Sequence, residues 1–456
     1  VLLRKMWTEY TKLSFPIIRL PLALTEHPSD FAMLKTRMFW MGFSLAGVMA
    51  LLNGLNVWYP GVPHLSVLAR YIQFATPPWS AMGSTPYTIY PFCIGLGFLL
   101  PLDVAFSCWF FMLFIKLQML LGYVVGVRDV PDFPYTAEQQ MGAWYTFGLI
   151  LLYGSRHHLK SAFHTVFRRD GSDIGEAISY RLAFWGVVFG IVFFLVFWVQ
   201  VGFSLIWAIV ALVTYLLVSL TITRIRAEAG AQHTVWDLEP AKLFRLFDSR
   251  SLGPSNLTAG ALSHWYWRLN RSHLMPAQLE AMKLAMEHKM PLRSLRFPLL
   301  AAFALAVILS MWACLDVLYK DGALAKCQGF AVWCSYETFD TLRTSMDVGF
   351  KMQPARWVAA TSAGGLTLLL TWLRSRFVWF PFHPLGYCVG PWAWWFWFPF
   401  FIAWLVKKLI LRYGGLKVYK QALPFFLGLI LGDYGIGAIW SLIGVFWQVP
   451  VMRIFH

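Results

Sequence analysis

The stretch "FPFHPLGYCVGPW", residues 380 to 392, places three prolines, two glycines and a histidine inside one of the most apolar and aromatic regions of a 456-residue chain. Pro381, Pro384 and Pro391 each remove a backbone donor, and Gly386 and Gly390 permit turns that other residues resist. Carbonyls and amides released in this way are tolerated at membrane depth only when protein buries them or a water-filled cavity receives them, so broken helices mark transporter substrate sites. Pro384, Gly386, Tyr387 and Gly390 are therefore candidate substrate-binding positions; the competing reading is an interfacial loop anchored by its aromatics. His383 adds an imidazole able to take up a proton, a substrate carboxylate or a metal. A structural hydrogen bond to a nearby carbonyl is the simpler role for a single histidine.

Acids placed in apolar runs are the next candidates. "PFCIGL" (91 to 96) leads to Pro101 and Asp103, and "PFFLGL" (424 to 429) leads to Gly432 and Asp433. Such matched breaks are the mark of inverted-repeat transporters, although chance can align Phe, Gly and Leu in a chain so rich in them. Asp433 lies in an apolar span of about 25 residues, where an acid is costly unless paired or hydrated, and is a candidate coupling residue. Asp103 is the corresponding candidate at a span edge, or a cap of the helix that follows. "TRIRAEAGAQ" (223 to 232) sets Arg224 one helical turn before Glu228. A helix-surface pair contributes only about 0.2 to 0.5 kcal/mol, so a solvated helix end competes with a gate contact.

Hydrolytic chemistry lacks its usual parts. No HExxH and no GxSxG occur, and the six cysteines include no CxxC. No catalytic residue, resident metal or cofactor is expected, and the chain reads as a non-enzyme. Cys327 and Cys334, in "CQGFAVWC", could form a disulfide if their loop faces an oxidising compartment; two thiols are the alternative.

The elements that must position these groups are membrane helices. The chain is 58% hydrophobic and carries 24 tryptophans, and its 13% charged residues fall well below the roughly 25% of a soluble domain. Apolar runs of spanning length lie near 38–58, 84–102, 104–126, 137–154, 182–200, 203–223, 296–318, 356–376, 392–412 and 422–447. The expected fold is all-α, a polytopic transmembrane bundle of about ten spans with discontinuous or re-entrant segments. Its domains are a membrane bundle over 1–223, a cytoplasmic or interfacial insertion over 224–295 and a second bundle over 296–456. In the insertion, "PAQLEAMKLAMEHK" reads as an amphipathic surface helix and Trp265, Tyr266 and Trp267 as a headgroup-level belt.

The net charge of +16 sits mainly in short loops beside the spans, which indicates topology and contact with anionic membrane lipids, with no nucleic-acid site. The basic loops 155–181 and 224–295 are then cytoplasmic. Carrying the alternation forward, a plain span at 392–412 would push Lys407, Lys408, Arg412, Lys417 and Lys420 outside. The conflict disappears if 377–391 itself crosses part or all of the membrane as a non-helical or half-helical stretch.

Several stretches taken together resemble a known family: "RKMWTEYTKLSFPIIRLPLAL" (4 to 24), "IGLGFLLPLDVAFSCWFF" (94 to 111), "RIRAEAG" (224 to 230), "FHPLGY" (382 to 387) and "WLVKKLILRYGGLKVYKQALPFFLGLILGD" (404 to 433). The family is an uncharacterised one of bacterial and archaeal multi-pass proteins likened to oligopeptide transporters. The likeness runs nearly end to end, and because members are longer at the N-terminus it implies a chain lacking the first few spans. With the broken segments it suggests a secondary transporter of a small solute or peptide-like substrate in the cytoplasmic membrane, by alternating access, with an oligomer possible. Rival readings are a membrane-embedded enzyme for a lipid-linked substrate, with His157, His158 and His164 of "RHHLKSAFH" near the headgroups, and a structural subunit of a membrane complex.

Overall fold

The structure is a computed structural model and describes residues 1–25, 33–64, 70–127, 130–168, 173–230, 238, 240–267, 273–322, 330–390 and 393–452. In chain order its helices are α1 (Arg19–Thr25), α2 (Arg37–Trp58), α3 (Pro91–Leu99), α4 (Leu102–Val125), α5 (Thr136–Arg168), α6 (Tyr180–Val201), α7 (Leu205–Ala229), α8 (Pro240–Leu243), α9 (Ser249–Leu262), α10 (His264–Trp267), α11 (Leu274–Glu287), α12 (Arg296–Val317), α13 (Phe330–Asp347), α14 (Pro354–Arg376), α15 (Pro384–Val389), α16 (Trp397–Tyr413) and α17 (Gly415–Trp447). One small antiparallel ribbon pairs β1 (Arg70–Ile72) with β2 (Thr85–Tyr87). Proline and glycine set several ends: Pro91 and Pro384 open α3 and α15 where a missing N–H costs nothing, and Gly126, in the left-handed region, closes α4.

Among the described residues, six helices are long and apolar enough to cross a membrane: α2, α4, α6, α7, a helical run from Leu292 to Lys320 that contains α12, and α17. This is the make-up of a membrane protein. Six stretches, and not about ten, meet both requirements. The run 84–102 becomes a strand and the nine-residue α3, and 392–412 becomes the seventeen-residue α16. The runs 137–154 and 356–376 are helical, as parts of α5 and α14, but carry too many polar side chains, Glu138, Gln139 and Gln140 among them. The basic stretch expected to be a loop from 155 is helical as far as Arg168. It contains neither glycine nor proline, and Ser155, Ala162, Thr165 and Val166 form its buried stripe.

The chain forms two compact units. One comprises Val1–Leu13, Ala137–Arg224 and His233–Gly364, the other Ser14–Thr136, Ile225–Gln232 and Gly365–His456. In the first unit, Trp198, Phe203, Ala208, Phe244, Leu252 and Leu257 make an apolar core. Trp267, expected at the headgroups, is buried, whereas Trp265 is 73% exposed. Arg4 makes two bonds of 2.7 Å to the Glu176 carboxylate, and Glu138 pairs with Arg356. Of α6 only Tyr180 and Trp198 are buried and of α12 no residue is, as in helices that face lipid.

In the second unit α2 and α17 run in the same direction at very short range. A Cβ on Gly42 would meet the carbonyl of Phe425, one on Gly428 that of Phe39 and one on Gly432 that of Phe43. Lipid tails are as apolar as side chains, so close backbone packing must supply what the hydrophobic effect cannot, and small residues permit it. Helix α3 lies on the same helix, with Phe98 stacked on Phe426 at 3.6 Å between ring centres.

Candidate functional site

His383 is the N-cap of α15. Its Nδ1 accepts the N–H of Leu385 at 3.1 Å, Pro384 fills the first helical position, and its own N–H donates to Ser107 Oγ at 2.7 Å. The amides on either side of Pro384 are thus taken up by protein groups. Nε2 lies 3.0 Å from Glu228 Oε1, with His383 5% and Glu228 9% exposed. Because Nδ1 accepts, the ring proton belongs on Nε2 and donates to the carboxylate. The partner is therefore a carboxylate, not the carbonyl that a lone histidine suggests. Glu228 occupies the last turn of α7, and the chain around it is held in turn: Ser14 Oγ donates to the Glu228 carbonyl at 3.0 Å and Phe15 N–H to that of Ala227 at 2.8 Å. The solvated helix end expected at Glu228 is a buried joint. Arg224, one turn earlier, is half-buried.

Gly386 and Gly390 serve close packing, not turns. Neither has a positive φ; a Cβ on Gly386 would overlap Ser107, and one on Gly390 would overlap Phe111. They stand four residues apart, Gly386 within α15 and Gly390 at its C-cap, the spacing that lays a glycine face against a neighbouring helix. Tyr387, buried beside them, meets the Phe111 ring edge-on at 5.1 Å. Pro391 lies outside the described residues.

Asp103 sits in the first turn of α4, where its Oδ1 takes the N–H of Val104 at 2.9 Å and its other oxygen pairs with Arg374. Its carbonyl accepts from Ser107 Oγ at 2.7 Å, so Asp103, Ser107, His383 and Glu228 form one chain of hydrogen bonds. From Arg374 onward the chain follows α4. Gly386 packs at Ser107, Gly390 at Phe111, and the Trp394 ring lies 4.2 Å from the ammonium of Lys116. The stretch of α4 from Asp103 to Lys116 covers about 20 Å at 1.5 Å per residue. Helix α16 then returns: Phe401 and Trp404 meet Trp109, and the buried Lys407 donates to the carbonyls of Phe98 at 3.0 Å and Leu100 at 2.5 Å. Arg374 and Lys407 thereby reach the same end of α4.

Asp433 stands apart from this chain. Its Oδ2 accepts the N–H of Phe92 at 3.2 Å, in the first turn of α3, where a negative charge meets the positive end of the helix dipole. The two similar breaks are not equivalent elements, since "PFCIGL" opens α3 whereas Pro424 lies inside the continuous α17. The histidines of α5 are also dispersed: His158 Nε2 meets the Leu2 carbonyl at 2.9 Å, and His157 and His164 are exposed. Among the described residues no three His, Cys, Asp or Glu side chains are grouped to hold a metal. The suggested Cys327–Cys334 pairing falls partly outside the described residues, since Cys327 is not among them.

Ser107, Arg374, Lys116 and Lys407 complete the site, and none was a candidate on sequence. Lys116 carried a signal, an ammonium in the middle of an apolar run. His273 repeats the cap of His383: Nδ1 accepts from Met275 N–H at 3.3 Å and Nε2 faces Ser219 Oγ at 2.9 Å.

Over residues 1–456 the chain matches the family of unknown function DUF6785, and it belongs to that family. No curated protein and no solved structure matches it.

Proposed function

We propose that this is a multi-pass protein of the cytoplasmic membrane that carries a small solute or peptide-like substrate by alternating access. The observation that carries the reading is the buried His383–Glu228 contact at the head of a broken segment. Ionisable groups buried among membrane-length helices are costly and are kept for ion or substrate handling. The path from Arg374 to Trp394 along α4, followed by the return of α16, supports a re-entrant segment of the kind that forms transporter sites. A re-entrant segment also leaves Arg374 and the cations of α16 on one side, in keeping with the distribution of basic residues in cytoplasmic loops. In the proposed cycle the α15 segment moves against α4, and the Glu228 carboxylate accepts a proton or substrate donor in place of the Nε2 hydrogen of His383. Asp433, at the start of α3, is the second proposed coupling group.

The test is uptake of labelled di- and tripeptides into proteoliposomes, with and without an inward proton gradient. Gradient-dependent uptake that falls at least tenfold in Glu228→Gln and His383→Asn is the expected result. Uptake equal to that of empty liposomes, or unchanged in both variants, would overturn the reading.

A further inference from the structure

Outside the candidate site, helices α13 and α10 bring a cysteine and a histidine together. Cys334 Sγ, in the first half of α13, lies 3.4 Å from Nε2 of His264, the first residue of α10. His264 is 6% exposed, while Cys334 is half-buried. The other described thiols differ: Cys93, Cys108 and Cys388 are buried among apolar side chains, and Cys314 is exposed on α12. A thiol within hydrogen-bond reach of an imidazole nitrogen is the arrangement that makes cysteine nucleophilic, because the ring can take the proton and stabilise the thiolate. The Ser219–His273 contact looks similar but works in reverse. There Nδ1 is occupied as an acceptor, so Nε2 donates to the hydroxyl and cannot deprotonate it.

We propose that Cys334 is a reactive thiol with His264 as its proton acceptor, and that it exchanges with small disulfides to form a reversible mixed disulfide. The Cys334 proton passes to His264 Nε2, and the thiolate attacks one sulfur of the disulfide. A new S–S bond forms as the old one breaks, and the departing thiolate recovers the proton from His264. Sulfur oxidation is exchanged between partners, with no external oxidant. This site is independent of the transport reading and stands or falls without it.

The full chain in detergent micelles, carrying Cys314→Ser and Cys327→Ser, provides the test. Iodoacetamide, which needs the thiolate, should alkylate Cys334 at least tenfold faster in the folded protein than in the same protein unfolded in dodecyl sulfate at the same pH. His264→Gln should slow that alkylation at least tenfold while leaving labelling by an organic mercurial, which reports access, unchanged. Glutathione disulfide should add to Cys334 and be removed by dithiothreitol. Equal alkylation in folded and unfolded protein would overturn the proposal. So would a parallel loss of iodoacetamide and mercurial labelling in His264→Gln, or a Cys327–Cys334 disulfide in the unmutated protein as isolated.

Discussion

His383 performs two jobs with two ring nitrogens, and substitutions separate them. Asparagine is a good N-cap and can still accept the Leu385 amide, but it is too short to span to Glu228; alanine loses both contacts. His383→Ala is expected to cost about 1 kcal/mol more than His383→Asn, the usual value of a helix cap. The order of melting temperatures in detergent micelles checks this. A second buried pair has a larger stake. Burial opposes the charge on Arg4, but the hydrogen bonds and charge of Glu176, reinforced by Glu9, outweigh it and hold the guanidinium above its ordinary range. Arg4→Met strands the Glu176 carboxylate in a site that is 1% exposed, and should destabilise by about 3 to 5 kcal/mol. Adding Glu176→Leu should restore most of that loss in the same melting measurement, because two apolar groups replace the pair.

Helices in this protein approach one another through glycine. Gly428→Ala pushes a methyl group into the Phe39 carbonyl, and Gly390→Ala pushes one into Phe111, each an overpacking expected to cost about 1 to 3 kcal/mol. Gly435 lies on the same helix as Gly428 with no neighbouring atom at its Cβ position. Gly435→Ala should therefore be neutral, or stabilising by up to about 1 kcal/mol through helix propensity. A set of melting temperatures in which Gly435→Ala falls as far as Gly428→Ala would refute the packing account. Gly390→Ala should also loosen α15 and with it the His383 cap, so its cost should shrink in a His383→Ala background.

At the scale of the whole molecule, the path along α4 makes a topological prediction. Single cysteines at Ser375 and Tyr413, in a protein otherwise free of cysteine, should be labelled by an impermeant maleimide from the same side of the membrane. Labelling from opposite sides would mean that 377–396 and α16 together cross once, and would remove the re-entrant segment. Much of this architecture could be read from the residues. The apolar runs at 38–58, 104–126, 182–200, 203–223, 296–318 and 422–447 each became a long helix, and the proline-rich stretch after Arg376 interrupts the helices, leaving only the short α15. The roles of Gly386 and Gly390 could not be read, because a glycine that turns the chain and one that admits a neighbouring helix look alike in sequence. Glu228 was legible as an acid beside Arg224, yet its partner lies 155 residues away.

Read alone, the sequence determined the class of the protein and the place where its helices break. Hydropathy, proline and glycine act on the residues next to them, and a run of twenty apolar residues keeps its meaning whatever surrounds it. The tertiary structure decided which groups meet. It set His383 against Glu228, Lys407 against the end of α3, and Cys334 against His264. Burial makes such contacts specific: a polar group withdrawn from water must find a partner wherever the fold supplies one, and sequence distance does not enter that requirement.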